Sequence, residues 1–288
     1  MGTVQLGLQY GIANRTGKPD RETAFEILDL AFAEGIRRVD TAQSYGESEN
    51  LIGEYHRAHP NRQFQVVSKL DPGCDFSAPD KIVDQVRRSI GRLQVPLEAL
   101  LLHDPALLRR WNSGSGAALS ACVDEGLTRQ VGVSIYTPEE FDLAVALPAI
   151  NVIQAPVNAL DRRLIAGGQL SRARRAGKTV YLRSAFLQGL LLLDLAALPK
   201  SMSFAREALR EWRTLCDRYQ LAPHSVALGY LKSRMPDGIT LIGCERPEQL
   251  QVNLAAWRKG DLPHELLAAI DALPLPVERV LNPSLWKI

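Results

Sequence analysis

Short apolar runs rich in β-branched residues alternate along the chain with longer segments whose apolar positions recur at helical spacing. The runs GIRRVD (35–40), QVVSK (65–69), EALLLH (98–103), QVGVS (130–134), NVIQ (151–154), TVYLRS (179–184) and GITLIG (238–243) read as buried parallel strands. The opening MGTVQLG reads as one more. Between the strands, sets such as Ala24, Ile27, Leu28 and Ala31, or Ile82, Val86, Ile90 and Leu93, fall on one helical face. Such helices would cover the outside of a sheet. Thr137-Pro138-Glu139-Glu140 joins an N-cap residue, a proline at the first helical position and a glutamate three residues after the cap, and Pro247 opens another helix. Gly35, Gly126 and Gly177 stand where helices end before the next strand, as a left-handed C-cap requires. The βα units in series predict a closed (β/α)8 barrel, or TIM barrel, rather than an open sheet. No Pro-rich, Ser-rich or charged linker divides the chain, so residues 1–288 are expected to form a single domain.

Composition narrows the partners. The 34 basic and 32 acidic residues leave a net charge of +2, so no whole-chain field points to nucleic acid or to an anionic membrane. There is no apolar run of ~18 residues and no signal-peptide pattern. A cytoplasmic protein acting on a small molecule, as a monomer or weak homo-oligomer, is the expectation. Cys74, Cys122, Cys216 and Cys244 lie far apart with no C-x-x-C, and the five histidines form no H-E-x-x-H, so no metal site is expected. The basic run SRARRAGK (171–178) suits the exposed end of a helix. The GKT at 177–179 fails as a P-loop tail because Arg172 stands where the first glycine should be.

Barrel enzymes assemble their sites at the C-terminal ends of the strands, so the residues ending each strand belong together. The stretch RRVDTAQSYGESENLIG (37–53) ends a strand with Asp40 and places Tyr45 in a Gly-flanked loop before a helix. Lys69 and His103 end the next two strands. Singly, each has an ordinary role: a turn cap, a packed ring, a solvent-reaching ammonium, a histidine satisfying a carbonyl. Together they fit one chemistry. A tyrosine, which ordinarily titrates near pH ~10, is a poor acid, but a nearby ammonium favours its phenolate, and a buried carboxylate can hold that ammonium charged and oriented. His103 beside the phenol can donate to a substrate carbonyl. The set is a general-acid site for carbonyl reduction, with the hydride brought by a cofactor.

At these residues the sequence resembles the aldo-keto reductases, (β/α)8 barrels that reduce aldehydes and ketones with a nicotinamide cofactor. VDTAQSYGESENLIG is similar to the family's D-T-A-x-x-Y-G-x-S-E-x-x-x-G segment, VVSKL to its lysine strand and LLLHDP to its histidine strand. The resemblance implies Asp40, Tyr45, Lys69 and His103 as the catalytic four, with Tyr45 the proton donor acting on an aldehyde, ketone or sugar carbonyl. It also implies that Ser134 and Gln154 hold the nicotinamide carboxamide and that Ser184, in RSAFLQGLL, touches the pyrophosphate. LIGCERPEQLQVNLAA (241–256) is similar to the adenosine-binding segment, placing Gly243, Glu245, Arg246, Gln249 and Asn253 at that end. Gly2 and Thr3, and Asp40 again, fall beside the cofactor.

Three departures bear on cofactor identity. Ile135 replaces a usual asparagine, and Arg183 stands where relatives often stack an aromatic ring on the nicotinamide. Glu245 stands near the ribose 2′ position, where it opposes a phosphate, although Arg246 follows at once. NADPH with weakened discrimination is the expectation, with NADH possible. The chain also begins too late for the family's usual N-terminal hairpin, and Trp111, in the stretch 104–116 after the histidine strand, is a candidate pocket residue. Two other readings compete. The family also resembles the β subunits of voltage-gated potassium channels, which suggests a cofactor-binding regulatory subunit, and Lys69 could serve a barrel lyase as a Schiff base.

Overall fold

The computed structural model describes residues 1–76 and 78–286. Its strands are β1 (Arg38–Asp40), β2 (Gln65–Lys69), β3 (Leu97–Leu102), β4 (Thr128–Ser134), β5 (Val152–Pro156), β6 (Thr179–Arg183) and β7 (Ile239–Thr240). They form one sheet in the order β1-β2-β3-β4-β5-β6-β7, parallel at every step, with pairs such as Asp40↔Val67 and Ser134↔Gln154. Helices Ser48–Ala58, Pro79–Leu93, Ser115–Asp124, Pro138–Ala146 and Gln169–Arg175 each return the chain to start the next strand. Sequential parallel order with a helix in each crossover curls the sheet toward a barrel, as the alternating pattern predicts.

The opening segment departs from its reading as a full strand. Only Gly2 bridges to Asp40, and Val4–Gly7 forms a single helical turn. Residues 1–3 nevertheless join the two edges of the sheet. The Gly2 amide donates to the Ile242 carbonyl at 3.0 Å, and the Asp40 amide donates to the Met1 carbonyl at 2.8 Å. The turn packs closely against the loop carrying Tyr45, since a Cβ at Gly7 would lie 1.8 Å from the Tyr45 carbonyl oxygen. Val4 and Gln5 line a cleft while Leu6 enters the core.

Val67, Ala99, Leu101, Val152, Tyr181 and Leu241 form a buried cluster of their own, which fills the barrel interior. At Gly132 on β4 a Cβ would stand 2.5 Å from Leu101 Cδ2, so the absent side chain makes room for its neighbour's. The larger core lies between sheet and helices, where Ala24, Ile27, Leu28 and Ala31 are all buried as their spacing predicts. A second cluster packs around Trp212 under helices Arg206–Arg218, Pro223–Arg234 and His264–Asp271. The caps match expectation: Thr137 and Glu140 form a complete capping box, and Gly35, Gly126 and Gly177 have φ of 85°, 68° and 68°.

Two further readings change. The last strand is confined to Ile239–Thr240; the Leu241 amide still donates to the Leu182 carbonyl at 2.8 Å and the Ile242 carbonyl accepts from Gly2, while the chain from Leu241 to Gly243 walls the cleft. The stretch after β3 is ordered as a 3-10 helix, Pro105–Ser113. Trp111 packs there against the main core and lines no part of the cleft.

Candidate active site

Side chains two apart on a strand share a face, so the barrel interior dictates what stands above it. Counting two residues on from Val67, Leu101, Gly132, Val152, Tyr181 and Leu241 gives Lys69, His103, Ser134, Gln154, Arg183 and Gly243. The apolar layer that fills the barrel is thus capped by a polar layer at the C-terminal strand ends. Above it opens a cleft of about 700 Å³, which Tyr45 enters from the loop after β1.

Lys69 is fully buried beneath this cleft. Its Nζ donates to Asp40 Oδ2 at 2.8 Å and to the Thr41 carbonyl at 2.8 Å, and lies 3.4 Å from the Tyr45 hydroxyl. The other Asp40 oxygen accepts from Gln154 Nε2 at 2.6 Å. Burial, the largest influence on Lys69, favours its neutral form, but the charges of Asp40 and Tyr45 and their hydrogen bonds outweigh it and hold its pKa above the usual lysine value. The ammonium therefore stays charged. His103 packs edge-on against Tyr45, with ring centroids 5.9 Å apart and planes at 79°. Burial, with the Lys69 and Arg183 charges, pushes its pKa down to about 4, so at neutral pH it is an uncharged imidazole. Its Nδ1 lies 3.3 Å from Ser44 Oγ, which leaves Nε2 for the cleft.

The loop carrying Tyr45 is held from below. Gly46 adopts φ 54°, and a Cβ there would lie 2.6 Å from the Gly7 carbonyl oxygen, so loop and opening turn meet backbone to backbone. Ser48 Oγ donates within reach of Thr3 Oγ1 at 2.8 Å and accepts from Thr41 Oγ1 at 3.0 Å. Glu49 is buried too, accepting from Ser68 Oγ at 2.7 Å and from Arg92 Nε at 2.8 Å.

Every residue that the resemblance places at the cofactor lines this one cleft: Gly2, Thr3, Asp40, Ser134, Gln154, Arg183 and Ser184 toward Tyr45, and Gly243, Glu245, Arg246, Gln249 and Asn253 toward the helix Pro247–Arg258. Their freedom to contact a ligand differs. The hydroxyl of Thr3 is spent on the Asp40 carbonyl at 2.8 Å, and Gln249 Oε1 accepts from the Glu245 amide at 2.8 Å. Buried Gln5 Oε1 and Arg183 Nε have no hydrogen-bond partner among the described residues. An elongated cleft with unspent polar atoms along it and a helix N-terminus at one end fits a dinucleotide in size and chemistry. The sequence reading missed Gln5, Tyr10, Tyr136 and Gln188, which also line it. Tyr136 was legible as the second residue past a strand end; Tyr10 was hidden by reading the opening as a strand.

A sheet wound into a barrel, with a tyrosine, a buried Lys–Asp pair and a neutral histidine at its mouth, defines a barrel oxidoreductase. The sequence signature of the Aldo/keto reductase family matches residues 1–274, and the chain belongs to that family, a group of NAD(P)H-dependent carbonyl oxidoreductases. It is 25% identical over 291 residues to the NADH-specific methylglyoxal reductase of Escherichia coli, covering 89% of this chain and 88% of that one. It is 24% identical over 311 residues to the norsolorinic acid reductase stcV of Emericella nidulans, covering 96% and 78%. An aldo-keto reductase of Bacillus halodurans, solved in its holo form, shares the fold with a TM-score of 0.73 at 21% identity over 94% of this chain and 90% of that one. Relatives named as reductases favour an enzyme over a regulatory subunit. The Schiff-base reading loses its nucleophile, since Lys69 is buried, protonated and bound to Asp40.

Proposed function

We propose that Tyr45 is the proton donor in reduction of an aldehyde, ketone or sugar carbonyl, with Lys69, Asp40 and His103 as its supporting groups. The observation that carries this reading is the chain of contacts from Asp40 Oδ2 through Lys69 Nζ to the Tyr45 hydroxyl, at 2.8 and 3.4 Å. A reduced nicotinamide held in the cleft would supply the hydride for the carbonyl carbon. As that carbon is reduced, its oxygen takes the Tyr45 proton, and the phenolate left behind faces the Lys69 ammonium. Asp40 keeps that ammonium charged although Lys69 is fully buried. With Nδ1 accepting from Ser44, His103 presents Nε2–H to the carbonyl oxygen and, being neutral, does not compete as the acid.

Ser134 and Gln154 are assigned to the carboxamide, Gln154 through its oxygen because its nitrogen serves Asp40. Ser184 is assigned to the pyrophosphate, and Glu245, Arg246, Gln249 and Asn253 to the adenosine end. NADPH is the favoured cofactor, with NADH accepted; the NADH-specific name of the E. coli relative supports the second half of that statement. Both relatives are named for carbonyl reduction, which supports a small-molecule carbonyl substrate. All proposed catalytic groups come from one chain, which suits a monomer or weak homo-oligomer. The cysteines are all free thiols, which suits the reducing cytoplasm.

Tyr45→Phe tests the assignment. Turnover should fall at least ~100-fold, the low end of what general-acid catalysis contributes, with cofactor affinity little changed. Near-normal turnover would remove Tyr45 from the role.

A further inference from the structure

Arg183 is a half-buried guanidinium at the reacting end of the cleft, and among the described residues it forms no ion pair. Its Nη2 donates to the Ile135 carbonyl at 2.9 Å, and its carbon Cζ sits 4.4 Å from the centre of the Tyr136 ring. These contacts hold the plane of the group without neutralising it. Nη1 has only a long contact to Ser184 Oγ at 3.4 Å, and the buried Nε has no hydrogen-bond partner among the described residues. A buried donor left unmade costs stability unless a ligand completes it.

The charge balance around it is one-sided. Of the Asp, Glu, Lys and Arg residues lining the cleft, Asp40 is neutralised by Lys69, while Glu245, Arg246 and Glu248 gather at the start of the helix Pro247–Arg258, at the other end. Tyr45 and His103 therefore share their end of the cleft with one uncompensated cation. Two phenols flank it. Tyr136 lies under the guanidinium, and Tyr10, set against Gln188, lies within reach of the charges of both Tyr45 and Arg183.

We propose that Arg183 is a substrate-specificity residue and that the substrate is an oxo acid, a carbonyl compound carrying a carboxylate that the unspent donors of Arg183 bind. The inference rests on the carbonyl-reductase reading and adds the charge of the substrate to it. A planar guanidinium whose outer nitrogens Nη1 and Nη2 keep unspent hydrogens matches a carboxylate in shape, and the stacked Tyr136 ring pre-sets its orientation. The position resembles one that meets the nicotinamide in relatives; here its uncompensated charge makes it a receptor for an anion.

The test compares succinic semialdehyde with its methyl ester, methyl 4-oxobutanoate, in the wild type and Arg183→Met. The two compounds share the carbonyl and differ in the carboxylate charge. The wild type should prefer the acid by roughly 10- to 100-fold in kcat/KM, mostly through KM, the scale of one charge-assisted contact, and Arg183→Met should bring the ratio near one. Should that variant fail to fold, Arg183→Lys, which keeps charge and loses the fork, should lower the ratio. A wild-type ratio near one, or a loss in Arg183→Met that is equal for acid and ester, would overturn the proposal. Glyceraldehyde 3-phosphate compared with glyceraldehyde forms the second arm; an Arg183-dependent preference for phosphate larger than that for carboxylate would overturn the oxo-acid assignment. If neither semialdehyde nor ester is turned over, binding replaces turnover as the readout. Calorimetric titration of succinate then still decides, since binding lost in the variant supports the anion site and binding equal in both refutes it.

Discussion

Asp40→Asn is the substitution that isolates the buried charge. Asparagine keeps the shape and can still accept from Gln154 Nε2 through its oxygen, but it turns an amide nitrogen toward Lys69 Nζ, so two donors face each other where an ion pair stood. The side chains of Lys69 and Asp40 are 1% and 6% exposed, so water cannot replace the lost carboxylate. Removing one partner of such a pair costs about 3 to 5 kcal/mol. Lys69 has one escape, which is to lose its proton. From its ordinary value of 10.5, deprotonation at pH 7 costs ~1.36 kcal/mol for each of about 3.5 pH units, a ceiling near 5 kcal/mol. At pH 9 the same ceiling falls to roughly 2 kcal/mol. In the wild type the folded pKa of Lys69 is raised, so its contribution is fully present below about 10.5 and is lost only as pH rises through the higher folded value. The wild type should therefore gain or lose little from this group between pH 7 and 9, while the deficit of Asp40→Asn shrinks by about half. Urea unfolding at both pH values, with Lys69→Met and the double variant, gives the measurement. The double variant should recover most of the loss in stability and none of the activity, because a phenolate without its ammonium loses at least ~100-fold. An Asp40→Asn deficit that is small, or independent of pH, would show that Lys69 is not held as a charge by Asp40, and the mechanism built on it would fall.

Two other outcomes are expected. Because His103 becomes cationic only near pH 4, kcat/KM should show no histidine inflection between pH ~5 and ~8; one near 6.5 that His103→Gln abolishes would refute the neutral-donor role. The same depressed pKa makes its stability contribution complete above 6.5 and progressively lost as pH falls through about 4, a slope that His103→Gln should flatten in acid unfolding. At the other end of the cleft, Arg246→Ala should shift fluorescence-measured affinity toward NADH and Glu245→Ser toward NADPH, since a guanidinium can pair with a 2′-phosphate and a carboxylate repels it. Wild-type protein binding NADH about tenfold more tightly than NADPH would show that Glu245 dominates.

The sequence disclosed the strands that carry the reacting groups because a strand buried on both faces must be apolar throughout, and a polar residue ending such a run is conspicuous. Asp40, Lys69, His103, Ser134 and Gln154 all stood out in this way. The helices were legible from their buried faces and from Thr137 and the capping glycines. What failed was local pattern overridden by contact. The opening V-Q-L-G alternates like a strand but forms a turn in which Gly7 packs against Tyr45 across the fold, a contact between residues nearly forty positions apart. β7 is only two residues long because its far edge is met by Gly2 alone rather than by a full strand, and the next three residues also wall the cleft. Trp111 shows the reverse error: a large aromatic in an apparent loop was free to be either pocket or core, and only packing decides.

The length of the recognition segment around Asp40 and Tyr45 has its own explanation. Only Asp40 and Tyr45 in the run from Asp40 to Glu49 carry side chains into the proposed chemistry, with Ser44 touching His103. Thr41, Gly46, Ser48 and Glu49 fix the loop: Thr41 bonds to Ser48 and Ser48 to Thr3 at the start of the opening turn, Gly46 permits contact with Gly7, and Glu49 ties the next helix to β2 and to Arg92. That division follows from what the phenol needs. Tyr45 hangs from a loop, whereas Lys69 and Asp40 stand on strands, and a misplacement of about 1 Å at a reacting group can cost 10²-fold in rate. A loop can hold such tolerance only if its backbone is bonded as densely as a strand's, and here buried hydroxyls and a buried carboxylate supply what the ladder cannot. The acid and the phenol that first draw attention thus depend on neighbours that never meet the substrate.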